Sequence, residues 1–121
     1  NKKQKIRNTI KDSIMNLELL DDDIKNIRKK YINSNVKDND LISNNIKTII
    51  IYKNNLKNII ESILEIDEIE LYKKYENKMK ELEEFDYIIN DSNLILSETE
   101  SILNKEIEKN AKSNNNFCIV M

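Results

Sequence analysis

The residue with the most distinctive chemistry is Cys118, the single cysteine of a 121-residue chain. It is followed by Ile119, Val120 and Met121, where the sequence ends. Prenyltransferases alkylate a thiolate in this position by reading two aliphatic side chains and a last residue with a free carboxylate, and a final Met favours farnesyl. From the composition of this chain, such a tetrapeptide arises by chance with a probability of roughly one in ten thousand. We therefore expect Cys118 to be a lipidation site.

The tetrapeptide resembles the ends of Ras-type GTPases and other farnesylated proteins, over these four residues only. The resemblance implies a thioether-linked farnesyl group on Cys118, removal of residues 119–121 and methylation of the new carboxylate. It also implies a membrane partner on the cytosolic side. A single prenyl chain binds membranes only marginally, so stable anchoring takes a second signal.

No second signal is evident near Cys118 in the sequence. Residues 105–121 carry three Lys against two Glu, a net charge of +1, and there is no second Cys for palmitoylation. We expect the attachment to be reversible, or to be reinforced by a protein partner or by further chain. A first residue other than Met favours a longer chain upstream.

The composition argues against an enzyme. The chain has no His, which removes Cys–His and Ser–His couples and histidine-based metal sites, and no Gly, which removes phosphate-binding Gly-rich loops. Its carboxylates show no spacing that singles out an acid–base pair. We expect no catalytic residues, no metal and no cofactor. A pI near 5.3 and the scarcity of Arg also argue against nucleic-acid binding.

Three short motifs have simpler interpretations. The sequon at residues 90–92 belongs to chemistry of the secretory lumen, which is incompatible with cytosolic prenylation. The acidic runs at residues 21–23 and 38–40 lack the Gly and Glu positions of a calcium-binding EF-hand loop. We interpret the first run as solvated charges and the second as a helix cap.

The fold predicted from the sequence is all-α. Gly and Pro are both absent, which argues against hairpin-rich β structure. We predict one domain over residues 1–112, an antiparallel three- or four-helix bundle with long amphipathic, coiled-coil-like helices, followed by a flexible tail over residues 113–121. The helices are expected at about 4–32, 40–64, 67–89 and 93–111. No apolar run approaches the roughly 20 residues of a membrane span.

Apolar spacings of three and four support these helices. The stripes comprise Ile6, Ile10, Leu17, Leu20, Ile24, Ile27 and Tyr31, then Ile42, Ile46, Ile49, Leu56, Ile60 and Ile63, then Leu71, Tyr75, Met79, Leu82, Phe85 and Ile89, and finally Leu94, Ile102, Leu103 and Ile107. The polar octet 33–40 predicts a loop in which Asp38 or Asp40 caps the next helix. Residues 65–68 are either a turn or part of a continuous helix, and residues 90–93 predict a turn.

Charge is segregated along the chain. Residues 1–32 carry nine basic and five acidic groups (+4), whereas residues 66–104 carry four basic and eleven acidic groups (−7). If the first helix packs beside the acidic segment, the two attract and favour one arrangement of the bundle. If the first helix does not pack there, the basic and the acidic segments are simply charged faces exposed to solvent.

The function predicted from these features is a non-enzymatic helical protein-interaction module, tethered to a cytosolic membrane face by farnesylation at Cys118. Its helical surfaces would bind a protein partner or form a homodimer. The alternative is a soluble structural coiled-coil scaffold in which the terminal tetrapeptide is incidental. A SNARE-like tethering factor in vesicle traffic is a narrower variant, although no Gln or Arg lies centrally in any stripe.

Overall fold

A computed structural model describes the backbone of residues 1–120 and the side chains of residues 1–112. This part of the chain contains four helices and no strand: α1 (Lys2–Asn33), α2 (Asp40–Leu64), α3 (Glu68–Lys73) and α4 (Tyr75–Val120). The all-α fold is thus confirmed, as a bundle of three long helices with α3 as a short helix before α4. The tail assigned to residues 113–121 lies outside the described side chains and stays a prediction.

The three long helices run up, down and up. Lys2 Nζ lies 3.7 Å from Glu76 Oε1, so α1 and α4 begin side by side. The side-chain amide of Asn45, near the start of α2, donates a hydrogen bond of 3.0 Å to Thr99 Oγ1 in the second half of α4. Helix α2 is therefore antiparallel to both neighbours, as expected for helices joined by short connections.

Helix α1 presents two rows of residues spaced seven apart to the core. Its N-terminus is capped by the side chain of Asn1, which accepts hydrogen bonds from the backbone N–H groups of Lys3 and Gln4. The first row, Ile6, Ser13, Leu20 and Ile27, is buried. The second row, Ile10, Leu17, Ile24 and Tyr31, is buried or packed against the core. A seven-residue repeat keeps one seam facing the partner helices along α1.

The N-cap predicted for α2 is wrong by one residue. Asn39, rather than Asp38 or Asp40, is the N-cap, and its Oδ1 accepts from Leu41 N at 3.0 Å and Ile42 N at 3.2 Å. The reason is that the Tyr31 hydroxyl accepts the Asn39 backbone N–H at 2.8 Å and fixes that residue just before the helix.

The apolar stripe predicted for α2 is confirmed in full. All six of its members, Ile42, Ile46, Ile49, Leu56, Ile60 and Ile63, are buried. Helix α2 then ends at Leu64, and Asp67 caps α3 by accepting the Glu70 N–H at 2.8 Å. Of the two alternatives for residues 65–68, the turn is the one observed.

The turn predicted at residues 90–93 is wrong, because α4 passes through it without a break. Ser92 is fully buried, and its hydroxyl donates a 2.7 Å hydrogen bond to the Ile88 carbonyl, so this polar residue is satisfied within the helix. Leu96 and Leu103 continue the buried face of Phe85. Packing along this face outweighs the local turn preference of the polar tetrapeptide.

Candidate functional site

The residues predicted to be modified, Cys118 to Met121, lie outside the described side chains. The backbone of α4 is described to Val120, and Met121 is not described. The last part of α4 with described side chains passes the α1–α2 loop, where the Asn110 side-chain amide donates a 2.7 Å hydrogen bond to the Asn35 carbonyl. The modification site therefore follows this end of the bundle in sequence, eight residues beyond Asn110.

The basic start of α1 packs against the acidic segment, as expected if their charges attract. Arg7 is paired with Glu68 of α3, and this hydrogen bond raises the pKa of Arg7. The ammonium group of Lys3 lies 4.9 Å from the centre of the Tyr72 ring, a cation–π distance. The charged groups involved are exposed, so each contact contributes little stability on its own. Together they favour this arrangement of α1 beside α3 and α4.

The outer face of α4 combines exposed apolar side chains with negative charge. Tyr87 and Leu94, seven residues apart on one side of the helix, are 74% and 59% exposed. Between residues 80 and 98, the exposed charged positions on the same side are Lys80, Glu83, Glu84, Asp91 and Glu98, four acidic groups against one basic group. We call this surface the acidic α4 face.

The acidic α4 face was not predicted from the sequence. The predicted stripes made Leu94 the first core residue of a separate helix and did not include Tyr87, whereas both residues are exposed to solvent. The available signal was their spacing of seven residues within an otherwise acidic stretch. Apolar residues at that spacing, flanked by charge of one sign, suit an amphipathic helix carrying the opposite charge.

A second feature is the groove between α1 and α2, with a volume of about 370 Å³. Its floor includes Leu17 and Ile60, and Asp21 lies at its rim. The Asp21 carboxylate lies 3.0 Å from Lys25 Nζ and 3.4 Å from Lys53 Nζ, and the hydrogen bond from Lys25 is the main reason that the pKa of Asp21 is lowered. The first residue of the acidic run 21–23 thus connects α1 to α2.

Within residues 1–112, no three His, Cys, Asp or Glu side chains come together as a group that could hold a metal ion. In the described part of the chain, no helix combines the length and the apolar character needed to cross a membrane.

Fold and surface together define a small all-α bundle with one strongly acidic face. Comparisons with protein-family models, curated proteins and solved structures found no match.

Proposed function

We propose that this chain is a non-enzymatic helical interaction module held at the cytosolic face of a membrane by a farnesyl group on Cys118. The sequence Cys118-Ile119-Val120-Met121 carries the proposal, since it meets each requirement of the prenyltransferase motif and arises rarely by chance from this composition. The modification requires Met121 to bear the free carboxylate of the chain.

The interaction part of the proposal is supported by the acidic α4 face. Tyr87 and Leu94 expose apolar surface in the middle of a row of carboxylates. Large aromatic side chains are over-represented among the residues that dominate binding energy in protein interfaces, and flanking charge selects the partner. The partner that fits is an amphipathic helix with Lys or Arg around an apolar stripe.

Farnesylation is tested by incubating the full chain with farnesyltransferase and labelled farnesyl diphosphate. Wild-type protein is expected to take up label at Cys118, and the Cys118→Ser variant is expected to take up none. Met121→Leu is the matched control, because a final Leu should shift the preference from farnesyl to geranylgeranyl. Absence of label in the wild type would overturn the proposal. Unchanged localisation of Cys118→Ser in cells would favour the soluble scaffold instead.

Partner binding is tested by placing a photo-crosslinking amino acid at position 87 in cells of the native source. The expected adduct is a peptide that maps to a helix rich in Lys or Arg, and Leu94→Glu should abolish it. The control position is Asn16, which is also exposed and lies on α1. Equal adducts from both positions, or a crosslinked peptide of acidic character, would exclude the acidic α4 face as the binding surface.

A further inference from the structure

A cluster of basic side chains forms where α1 and α2 meet the loop that joins them. One shallow depression is lined by Lys25, Arg28, Lys29, Ile32 and Asn33, and a second by Arg28, Tyr31, Ile32, Ser43, Ile46, Lys47 and Ile50. Arg28 and Ile32 belong to both depressions, so the two form one continuous surface. We call Lys25, Arg28, Lys29, Ile32 and Lys47 the α1–α2 basic patch.

The charge of the patch stands out against that of the whole chain. Residues 24–50 carry six basic groups and two acidic groups, a net charge of +4, whereas the chain as a whole has a net charge of −2. Lys25 is paired with Asp21. Arg28, Lys29 and Lys47 are exposed, and they form no ion pair with any described side chain. Three cations are therefore free to meet an external anion.

The centre of the patch is apolar. Ile32 is 72% exposed, among the highest values for a large hydrophobic residue in the described chain, and it lies directly beside Arg28. Cations around an exposed aliphatic side chain match a lipid surface, where headgroup anions lie above hydrocarbon. A small soluble anion would satisfy the cations but would leave Ile32 exposed.

The position of the patch connects it to Cys118. The contact between Asn110 and Asn35 places α4 beside the loop that follows the patch residues of α1. Cys118 is eight residues further along α4, a rise of about 12 Å along the helix. A lipid on Cys118 and the patch can therefore reach the same bilayer.

We propose that the α1–α2 basic patch is the second membrane contact of this protein and binds a bilayer surface rich in anionic lipid. The proposal rests on the proposed function in one respect, that the patch acts together with the anchor on Cys118. Helix α4 packs against both α1 and α2, so its acidic face is on the side of the bundle opposite the α1–α2 groove. Binding through the patch leaves the acidic α4 face directed away from the membrane.

The test uses the full chain without lipid and measures co-sedimentation with vesicles. Binding is expected to vesicles of phosphatidylcholine with 30% phosphatidylserine, to be much weaker with phosphatidylcholine alone, and to fall as salt rises. The triple variant Arg28→Gln/Lys29→Gln/Lys47→Gln should lose affinity by about 100-fold at low salt, from about fivefold for each cation near an anionic surface. Ile32→Ser should also weaken binding, since it removes the apolar contact without changing charge.

The matched control removes three other exposed cations that form no ion pair with a described side chain, with Lys5→Gln/Lys11→Gln/Lys73→Gln. This variant has the same net charge as the patch variant and is expected to bind much more tightly than it. An equal loss in both variants would show that net charge alone governs binding. If the chain binds a soluble RNA homopolymer as tightly as it binds the vesicles, the ligand of the patch is nucleic acid rather than lipid. If wild type is a dimer and the patch variant is a monomer, the patch is a contact between two copies of the chain.

The same vesicle assay, repeated after farnesylation, separates the two proposals. If the farnesyl group is not incorporated, the proposed function fails while the lipid dependence of the unmodified chain stands. If it is incorporated but the patch variant binds as tightly as wild type, the patch proposal fails and the anchor stands. Cooperation predicts that the farnesylated wild type exceeds both the farnesylated patch variant and the unmodified chain in affinity.

Discussion

Replacing Phe85 by Ala is expected to remove a large part of the stability of the bundle. Among residues 1–112, Phe85 is the largest fully buried side chain, with 0% exposure, and it lies on the inner face of α4. Truncating such a residue loses transfer free energy and leaves a cavity, at a cost of about 3–5 kcal/mol. Domains are stabilised by about 0.05–0.15 kcal/mol per residue, so 121 residues correspond to about 6–18 kcal/mol in total.

The assay is urea unfolding followed by far-ultraviolet circular dichroism. With a slope of about 1–3 kcal/mol per molar urea, the midpoint of Phe85→Ala should fall by about 1 M or more. Tyr87→Ala is the matched control, because it removes an aromatic ring two residues away that is 74% exposed. That change should stay within about 0.5 kcal/mol of wild type. If both variants lose the same stability, the assignment of the inner and outer faces of α4 is wrong.

Three further predictions use the same unfolding measurement. Asn39→Ala removes the acceptor for two N–H groups of α2 and should cost about 1 kcal/mol, whereas exposed Asp38→Ala should cost little. Asn93→Pro should cost about 3 kcal/mol more than Asn93→Ala because α4 is continuous there; equal stabilities would indicate a turn. Asp21→Asn tests the lowered pKa of this carboxyl, caused mainly by Lys25. A folded-state pKa below the unfolded value of about 4 stabilises the fold above that pH, and this stabilisation is lost as the pH falls through the folded-state pKa. The free energy of unfolding of wild type should therefore exceed that of the variant by up to about 1 kcal/mol at pH 7, and the difference should shrink as the pH falls below about 4.

The parts of the fold that the sequence predicted are those in which local and tertiary signals agree. The α2 stripe from Ile42 to Ile63 repeats at spacings of three and four, and every member is buried. The polar octet at residues 33–40 contains the observed loop. In both places the local preference of the residues and the requirement for a continuous core favour the same structure.

The wrong prediction at residues 90–93 arose where these signals conflict. Asn, Asp and Ser favour turns because their side chains can bond to the local backbone. Here Ser92 fills a core position between Phe85 and Thr99 at seven-residue spacing, and its hydroxyl bonds within the helix. A sequence pattern that counts Ser as polar predicts a break in the helix at this position. A small Ser whose hydroxyl bonds within the helix can nevertheless occupy a buried position.

The two candidate membrane contacts also differ in how far the sequence alone could predict them. The tetrapeptide that begins at Cys118 is a linear code, so it can be recognised without a structure. The α1–α2 basic patch combines Arg28 and Lys29 with Lys47 from the next helix, and only the packing of α1 beside α2 brings them together. From the sequence, the anchor on Cys118 is expected to be weak by itself, and the linear pattern did not indicate a basic patch that could reinforce it.

Cations near the start and near the end of α1 differ in their ion pairing with the described side chains, and this difference bears on how the bundle is oriented at a membrane. Near the start, Arg7 is paired with Glu68, whereas Arg28 and Lys29 near the end have no such partner among the described side chains. A bundle two helices deep is about 20 Å thick, well beyond the screening length of about 8 Å at physiological salt. Charge on the acidic α4 face should therefore not be felt at a membrane bound to the opposite side.

Glu83→Gln/Asp91→Gln removes two negative charges from that face and raises the net charge of the chain from −2 to 0. In the proposed orientation, it leaves binding to vesicles with phosphatidylserine unchanged at physiological salt. If long-range net charge controls membrane binding instead, the same variant should bind several times more tightly. Vesicle co-sedimentation at 0.15 M salt decides between these outcomes, because local contact and global charge predict different results for this one change.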